Sequence, residues 1–198
     1  MKKQSLYDDR ADLYDKIYAW KNYSAECDKL RGLLAREGIR EGSRVLEAAC
    51  GTGNYLTVLT SRYRVSGFDK SEAMLAIARR KLPLADLFAA DMKTFEVAEP
   101  FDAVLCLFSS IGYLKTDDEI ADAARAFARA VRPGGVIVVE PHASNPTGSC
   151  PTEGCFSRRD AEQEAVSSQA DCAASAIGVV IPSWASSPMD SLPMSRPR

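Results

Sequence analysis

Three acidic residues and a glycine turn are the parts of this sequence whose types and spacing could do chemistry. Glu47 lies in a short apolar stretch that ends at the turn Gly51-Thr52-Gly53, while Asp69 and Asp91 follow the next two apolar stretches. A strand that ends at such a turn and opens a helix makes a backbone cradle at the carboxyl edge of a parallel sheet. Glycine suits this turn because it has no Cβ to obstruct a ligand and tolerates positive φ. The turn is therefore predicted to bind a ligand.

The positions of the acids match the parts of an adenine nucleoside. Asp69, which ends the second strand, can accept hydrogen bonds from the two neighbouring hydroxyls of a ribose. Asp91, after the third strand, can accept one from the exocyclic amine of adenine, and Phe108 can lie against the purine face. Each acid alone is typical of a solvated strand end or a helix cap. All three acids stand at the ends of successive predicted strands around the glycine turn, and this arrangement favours a binding site.

The turn differs from that of dinucleotide-binding folds. Those folds use Gly-x-Gly-x-x-Gly against a pyrophosphate, whereas Leu56 stands where the third glycine would be. The acidic Glu47 before the turn suits a ligand that carries an ammonium or a sulfonium rather than a phosphate.

Alternating strands and helices must position these residues. Apolar stretches predict strands at residues 44–49, 63–68, 85–89, 101–107 and 136–140, and helical spacing predicts helices at residues 8–20, 24–36, 53–62, 71–81 and 117–131. Ser24, Ser71 and Asp117 are the predicted N-caps. Five alternations with short links predict an α/β fold with a doubly wound, mostly parallel sheet.

Composition and charge exclude several classes of protein. With 198 residues and 46% hydrophobic residues, the chain is long enough for one domain with a core. The net charge of −2 gives no electrostatic footprint for nucleic acid or an anionic membrane. No apolar stretch approaches the ~20 residues of a membrane span, and no signal-peptide core follows Met1, which predicts a cytoplasmic protein. The six scattered cysteines favour reduced thiols, and Cys150, Cys155, Cys172 and His142 lack the spacing of a zinc site.

The character of the chain changes at Pro141. Residues 142–198 contain 11 serines, six of the ten prolines, no lysine and no tyrosine. Such a composition buries little apolar area to offset chain entropy, so we predict a poorly ordered tail in which only residues 177–181 could form a strand. The abrupt change is typical of out-of-frame translation. An intact continuation in a neighbouring frame of the gene would support that hypothesis, and an uninterrupted frame shared by relatives would refute it.

Five motifs in order carry a resemblance to a known family. They are VLEAACGTGNYL, GFDKSEAMLAIARRKL, AADMKTF, FDAVLCLFSSIGYL and VRPGGVIVVEP. Over residues 7–141 the chain resembles class I S-adenosylmethionine-dependent methyltransferases, and within them the branch of nucleotide-linked amino-sugar N,N-dimethyltransferases. The resemblance implies a Rossmann-like fold, S-adenosyl-L-methionine as cofactor and methyl transfer to a small-molecule acceptor at nitrogen. The predicted division is a methyltransferase domain at residues 1–141, with a helical lid at 1–40, and the tail at 142–198.

The resemblance also implies which residues hold the methionine half of the cofactor. Ala49, Gly51 and Gly53 would line it, and Glu47 would support it through its amino group or the waters of that group. Tyr23, on the helical lid, would close over this half or serve as a packing residue.

By the same resemblance, the adenosine half is held farther along the chain. Asp69 would bind the ribose hydroxyls, and Asp91 with Met92 would bind the adenine. Phe108 would lie nearest the reacting methyl group.

Two tyrosines are the candidates for contact with the acceptor. Tyr14 lies on the lid, and Tyr113 stands where members of the amino-sugar branch carry a histidine. The replacement puts a histidine general base in doubt and leaves packing open as the role of Tyr113. His142, after the fifth strand, is predicted to be incidental.

The chain departs from the family after Glu140-Pro141, where members continue with two more strands and acceptor-binding residues. The sheet is therefore expected to lack its usual last strands, which leaves a cofactor-binding but catalytically inactive protein as the second reading. The exposed sheet edge predicts self-association, of which a homodimer is the simplest form. A nucleotide-dependent oxidoreductase is a more distant alternative. A nucleic-acid methyltransferase is disfavoured by the absence of a basic patch and of a base-flipping motif.

Overall fold

The computed structural model describes residues 11–140 and 178–180. Two helices come first, α1 (Ala11–Ile17) and α2 (Tyr23–Arg36). Strands and helices then alternate in the order β1 (Arg44–Ala48), α3 (Asn54–Leu59), β2 (Arg64–Asp69), α4 (Glu72–Lys81), β3 (Asp86–Ala89), β4 (Phe101–Cys106), a 3-10 turn (Ser110–Tyr113), α5 (Asp117–Ala130), β5 (Val131–Val139) and β6 (Gly178–Val180). No helix among the described residues has the length and apolar character needed to cross a bilayer.

The strands form one sheet in the order β3-β2-β1-β4-β5-β6. Strands β1 to β5 are parallel, and β6 pairs antiparallel with the outer edge of β5. Strand order reverses between β1 and β4, so the loops that follow these two strands leave in opposite directions and open a crevice at their carboxyl ends. The predicted α/β fold with a doubly wound, mostly parallel sheet is confirmed, and the crevice is where a ligand is expected.

Side-chain alternation along β1 explains why an acid lies in the core. Val45 packs on the face of the sheet covered by α2, α3 and α4, whereas Leu46 and Ala48 pack on the face covered by α5. Successive residues of a strand point to opposite faces, so Glu47 shares the face of Val45. The strand thus carries a carboxylate into a buried position at its carboxyl end.

Three sequence-based predictions of helix and strand ends were wrong. Asn22 caps α2 through its side chain, which accepts from the Ala25 N–H, so the cap is not Ser24. Thr116, rather than Asp117, caps α5 by accepting from the Glu119 N–H. Strand β5 begins at Val131 instead of residue 136, because the Pro-Gly-Gly segment is accommodated as an irregularity in the pairing with β4.

The other predicted ends fall within three residues of those observed, except the start of the first helix at residue 8, which lies outside the described residues. Ser71 caps α4, as predicted, by accepting from the Met74 N–H. Within the tail, the single stretch predicted as a possible strand contains β6, which pairs Val179 with Val138. The predicted low order of the rest of the tail lies outside the described residues. Cys27, Cys50 and Cys106 are free thiols, as predicted, and the remaining cysteines lie outside the described residues.

Candidate functional site

A cavity of about 30 Å³ lies at the carboxyl ends of β1 and β4, in the crevice where strand order reverses. Six of its lining residues were predicted from the sequence as site residues, namely Tyr14, Tyr23, Glu47, Ala49, Gly51 and Phe108. Six others were not predicted, namely Cys50, Thr52, Asn54, Tyr55, Leu107 and Ser110. The lining therefore comes from three sources: the amino-terminal helices, the segment from β1 into α3, and the segment after β4.

Left-handed backbone is concentrated at these two strand ends. Among the described residues, the non-glycine residues with positive φ are Ala49 (55°), Phe108 (53°) and Ser109 (57°). Such conformations cost of order 1–3 kcal/mol each and persist where the surrounding structure enforces them. Both loops that border the cavity are therefore held in strained conformations by their surroundings.

The two positions of the turn require glycine for different structural reasons. Gly51 has φ of 55°, and a Cβ built on it would meet nothing within 4 Å. Gly53 has φ of 76°, and its Cβ would lie 3.1 Å from Leu82 Cδ1 and 3.2 Å from Ala78 Cβ. Gly51 thus leaves open space beside the cavity, whereas Gly53 lets α4 pack closely against the turn.

Asp69 joins β2 to the glycine turn. Its Oδ2 accepts a hydrogen bond from the Gly51 N–H at 2.8 Å, and its Oδ1 accepts one from the Ser71 N–H at 2.9 Å. The carboxylate therefore fixes both the turn and the start of α4. It lies next to the cavity without lining it.

Glu47 is the buried acid of the site. It is 3% exposed, and its Oε2 has no hydrogen-bond partner among the residues that the structure describes. Burial, together with the negative charge of Asp69, raises the pKa of Glu47 well above its ordinary value. A buried carboxylate oxygen without a partner is costly, and a cationic ligand group in the cavity would satisfy it.

The pH dependence of stability in a Glu47→Gln variant tests the cost of burying this carboxylate. An acid whose pKa is raised on folding holds its proton to higher pH in the folded state, so stability falls as the pH rises from the ordinary Glu value towards the raised one. We expect Glu47→Gln to raise the free energy of unfolding relative to the original chain, by about 1 kcal/mol or more at pH 8 and by less at pH 4. Urea denaturation at both pH values measures the difference. Glu96→Gln, at an exposed position, is the control, and equal responses of the two variants would contradict the prediction.

Besides Gly53 and Asp69, three predicted site residues do not line the cavity. Partial burial acts to raise the pKa of Asp91, but hydrogen bonds from the Lys93 N–H and from Lys70 hold it below its ordinary value. Met92, beside it, packs against the core that faces α5. Tyr113 ends the 3-10 turn and is 48% exposed. None of the three lines the cavity, so any contact they make with a ligand lies in the open crevice outside it.

Aromatic rings from the amino-terminal segment cover the residue after β4. The Tyr18 ring meets the Phe108 ring edge-on with centroids 4.9 Å apart, and the Tyr14 ring lies 4.7 Å from that of Tyr18. On the other side, Tyr23 meets Tyr55 edge-on at 5.0 Å. Aromatic side chains thus form part of the cavity wall, with Tyr14, Tyr23, Tyr55 and Phe108 among the lining residues.

A partly buried ion pair lies among these rings. The Lys21 ammonium is 2.6 Å from Glu26 Oε1 and 4.5 Å from the centre of the Phe108 ring. The Tyr55 hydroxyl donates to Glu26 Oε2, and burial together with this bond raises the pKa of Tyr55. The sequence gives no signal for this network, because Lys21 before α2 and Glu26 in its first turn are ordinary charges at the start of a helix.

A second buried acid supports the loop after β4. Glu140 follows β5, is 7% exposed, and accepts from the Phe108 N–H through its Oε2 at 2.8 Å. This bond satisfies the backbone of a residue with positive φ. Glu140 thus helps to hold Phe108 in its strained conformation.

Comparison with known proteins identifies the domain built around this cavity. Residues 45–135, from β1 into β5, match a family model described as a methyltransferase domain. The chain carries a methyltransferase domain. The cavity lies at the carboxyl ends of two central strands of that domain, β1 and β4.

Relatives of the methyltransferase domain include enzymes named for amino sugars. A dTDP-3-amino-3,4,6-trideoxy-alpha-D-glucopyranose N,N-dimethyltransferase of Streptomyces venezuelae is 43% identical over 136 residues, covering 67% of this chain and 57% of that protein. A dTDP-4-amino-2,3,4,6-tetradeoxy-D-glucose N,N-dimethyltransferase of Saccharopolyspora spinosa is 36% identical, covering 67% and 54%. The chain therefore spans somewhat more than half the length of these relatives.

A solved structure agrees with the fold. The structure of an amino pentose methyltransferase from Micromonospora echinaspora with S-adenosylmethionine bound is 35% identical, has a TM-score of 0.62, and is matched over 66% of this chain and 56% of that one. The resemblance to class I S-adenosylmethionine-dependent methyltransferases and the Rossmann-like fold that it implies are confirmed.

Proposed function

We propose that the chain binds S-adenosylmethionine in the crevice between β1 and β4 and transfers its methyl group to the amino nitrogen of a nucleotide-linked sugar. The relatives named for this chemistry support the acceptor class. The buried, unpartnered carboxylate oxygen of Glu47 carries the cofactor assignment, because the α-ammonium of a methionine group would satisfy it. We also propose that the protein is cytoplasmic.

The residues at the crevice fit the parts of the cofactor. Gly51 leaves space beside the cavity for the methionine half. Asp69, at the end of β2, is the proposed acceptor of the ribose hydroxyls. Asp91 and Met92, after β3, are the proposed adenine contacts, and Gly53 acts by packing the turn against α4. Tyr23 and Ala49 complete the lining around the methionine half.

Alignment of two substrates is the main task of the protein in this reaction. When bound, S-adenosylmethionine supplies a methyl group on a sulfonium, which is already activated towards displacement by an amine. Tyr14 and Phe108 line the cavity, and their rings exclude water from the reacting groups. Tyr14 is the proposed acceptor contact. Tyr113 is half exposed and does not line the cavity, so we propose that any contact it makes with the acceptor lies outside the cavity.

Calorimetric titration with S-adenosylhomocysteine tests the cofactor assignment. We expect micromolar binding by the full chain and no binding of NAD, which serves as the control for a nucleotide-dependent oxidoreductase. Binding of NAD without binding of S-adenosylhomocysteine would overturn the proposal. Turnover is then assayed with S-adenosylmethionine and the dTDP-linked amino sugar of the Streptomyces venezuelae relative.

A cofactor-binding protein without turnover is the second candidate. The matched region covers 57% and 54% of the two relatives, so their similarity supports the cofactor domain more directly than turnover of an acceptor. Binding of S-adenosylhomocysteine without methyl transfer to any amino-sugar nucleotide would favour this candidate. The same assay therefore separates the two.

A further inference from the structure

Asp15, a residue of α1, contacts the glycine turn across the rim of the cavity. Its Oδ1 accepts from the Thr52 hydroxyl at 2.6 Å and from Asn54 Nδ2 at 3.0 Å. Its Oδ2 lies 2.6 Å from the Lys81 ammonium, which also donates to Asn54 Oδ1 at 2.7 Å. One carboxylate thus ties α1 to the turn, to the first residue of α3 and to the last residue of α4.

The surroundings of Asp15 make this contact stronger than an ordinary surface ion pair. The side chains of Asp15 and Lys81 are 35% and 26% exposed, and Thr52 is 1% exposed. Partial burial acts to raise the pKa of Asp15, but hydrogen bonds from Lys81, Thr52 and Asn54 hold it below its ordinary value. Charge-assisted hydrogen bonds of this kind are roughly twice as strong as neutral ones.

Helix α1 depends on such contacts for its position. It has seven residues, and isolated helices shorter than about 12 residues are marginal in water. Asp15 holds it against the glycine turn, while Tyr18, just after the helix, packs on Phe108 on the other side of the cavity. Tyr14, next to Asp15, lines the cavity between these two points of attachment.

We propose that Asp15 is a positioning residue that fixes α1, and with it Tyr14, over the bound cofactor, and thereby sets how long the cofactor stays bound. The inference rests on the proposed function for the identity of the ligand. Asp15 acts through the position of α1 and makes no contact with the reacting groups. Its loss therefore raises the dissociation rate of the cofactor more than it changes the association rate.

Dissociation of S-adenosylhomocysteine from the full chain, measured by stopped-flow displacement, tests this role. We expect Asp15→Ala to raise the dissociation rate about 10-fold, with the association rate changed by less than about threefold. Asp15→Asn keeps an acceptor for Thr52 and Asn54, so its dissociation rate is expected to lie between those of the original chain and the alanine variant. Asp28→Ala is the matched control, because Asp28 pairs with Arg31 at the same 2.6 Å but is 67% exposed and lies on α2.

The Lys81 contact gives an independent check. In a Lys81→Met background, Asp15→Ala is expected to raise the dissociation rate by a smaller factor, because part of the interaction is already lost. Equal factors in both backgrounds would show that the ion pair does not contribute. Dissociation from Asp15→Ala at the rate of Asp28→Ala would overturn the proposal.

Amide hydrogen exchange in the ligand-free chain separates failure of this inference from failure of the proposed function. Exchange over residues 11–17 is expected to be faster in Asp15→Ala than in Asp28→Ala, with no difference in the strands. Faster exchange in a chain that binds no S-adenosylhomocysteine would leave the positioning of α1 intact and reject the cofactor assignment. Unchanged exchange in a chain that does bind it would reject the role of Asp15 alone.

Discussion

Asp69→Ala is expected to weaken S-adenosylhomocysteine binding by about 100-fold, which corresponds to about 2.8 kcal/mol. The variant loses the acceptor of the Gly51 and Ser71 N–H groups, at 2.8 and 2.9 Å, as well as the proposed acceptor of the ribose hydroxyls. Hydrogen bonds to a charged group contribute about 1.5–3 kcal/mol each, so loss of the ribose contacts and disorder of the turn together account for this size of effect. Isothermal titration calorimetry gives the dissociation constants directly.

The control for this experiment is another aspartate of the same sheet. Asp86→Ala alters an exposed residue at the amino end of β3, the opposite edge from the crevice, and is expected to leave binding within twofold of the original chain. The affinity of Asp69→Asn should lie between those of Asp69→Ala and Asp86→Ala, because an amide oxygen can accept only part of the hydrogen bonds. Equal affinity of Asp69→Ala and Asp86→Ala would place the cofactor elsewhere.

Gly135→Ala is expected to lower the free energy of unfolding by about 3 kcal/mol. A Cβ at Gly135 would lie 2.6 Å from Val131 Cγ2, 2.7 Å from the Asp102 carbonyl oxygen and 3.1 Å from the Arg132 carbonyl oxygen. Two of these three neighbours are backbone atoms, which cannot move aside without shifting β4 or β5. The irregular pairing of these strands is therefore expected to loosen, and urea denaturation measures the loss.

Replacement of a second glycine, Gly32, is expected to stabilise the protein and serves as the control. Gly32 is exposed in the interior of α2, and a Cβ there would meet nothing within 4 Å. Because glycine is a poor helix former, Gly32→Ala is expected to raise the free energy of unfolding by about 1 kcal/mol. If both alanine variants changed stability alike, close packing at Gly135 would not be the cause.

Local pattern was sufficient to predict the elements that carry the site. The strand expected at residues 44–49 is β1 (Arg44–Ala48), and the helix expected at 71–81 is α4 (Glu72–Lys81). Such segments can be predicted from the sequence because hydrophobic periodicity and caps are properties of neighbouring residues. Once the strands are placed, the parallel order brings Glu47 and Asp69 to one edge of the sheet, so their proximity also followed from the sequence.

The contacts that complete the site could not be predicted in the same way. Asp15 and Thr52 are 37 residues apart, and nothing local distinguishes Asp15 from other acids of an amphipathic helix. Ala49 and Phe108 have positive φ although neither residue type signals it, because tertiary contacts such as the Glu140 bond impose the conformation. The early start of β5 was missed because Pro133 and the following glycines suggest a break, whereas a strand can absorb them as a bulge.

The buried carboxyl of Glu47 also links ligand binding to protons. Because burial favours its neutral form, a cation that binds beside it restores the charged form, and the displaced proton passes to the buffer. Affinity for a cationic ligand then rises with pH over the range in which the free carboxyl still holds its proton. The heat of binding would likewise contain the ionisation enthalpy of whichever buffer accepts that proton.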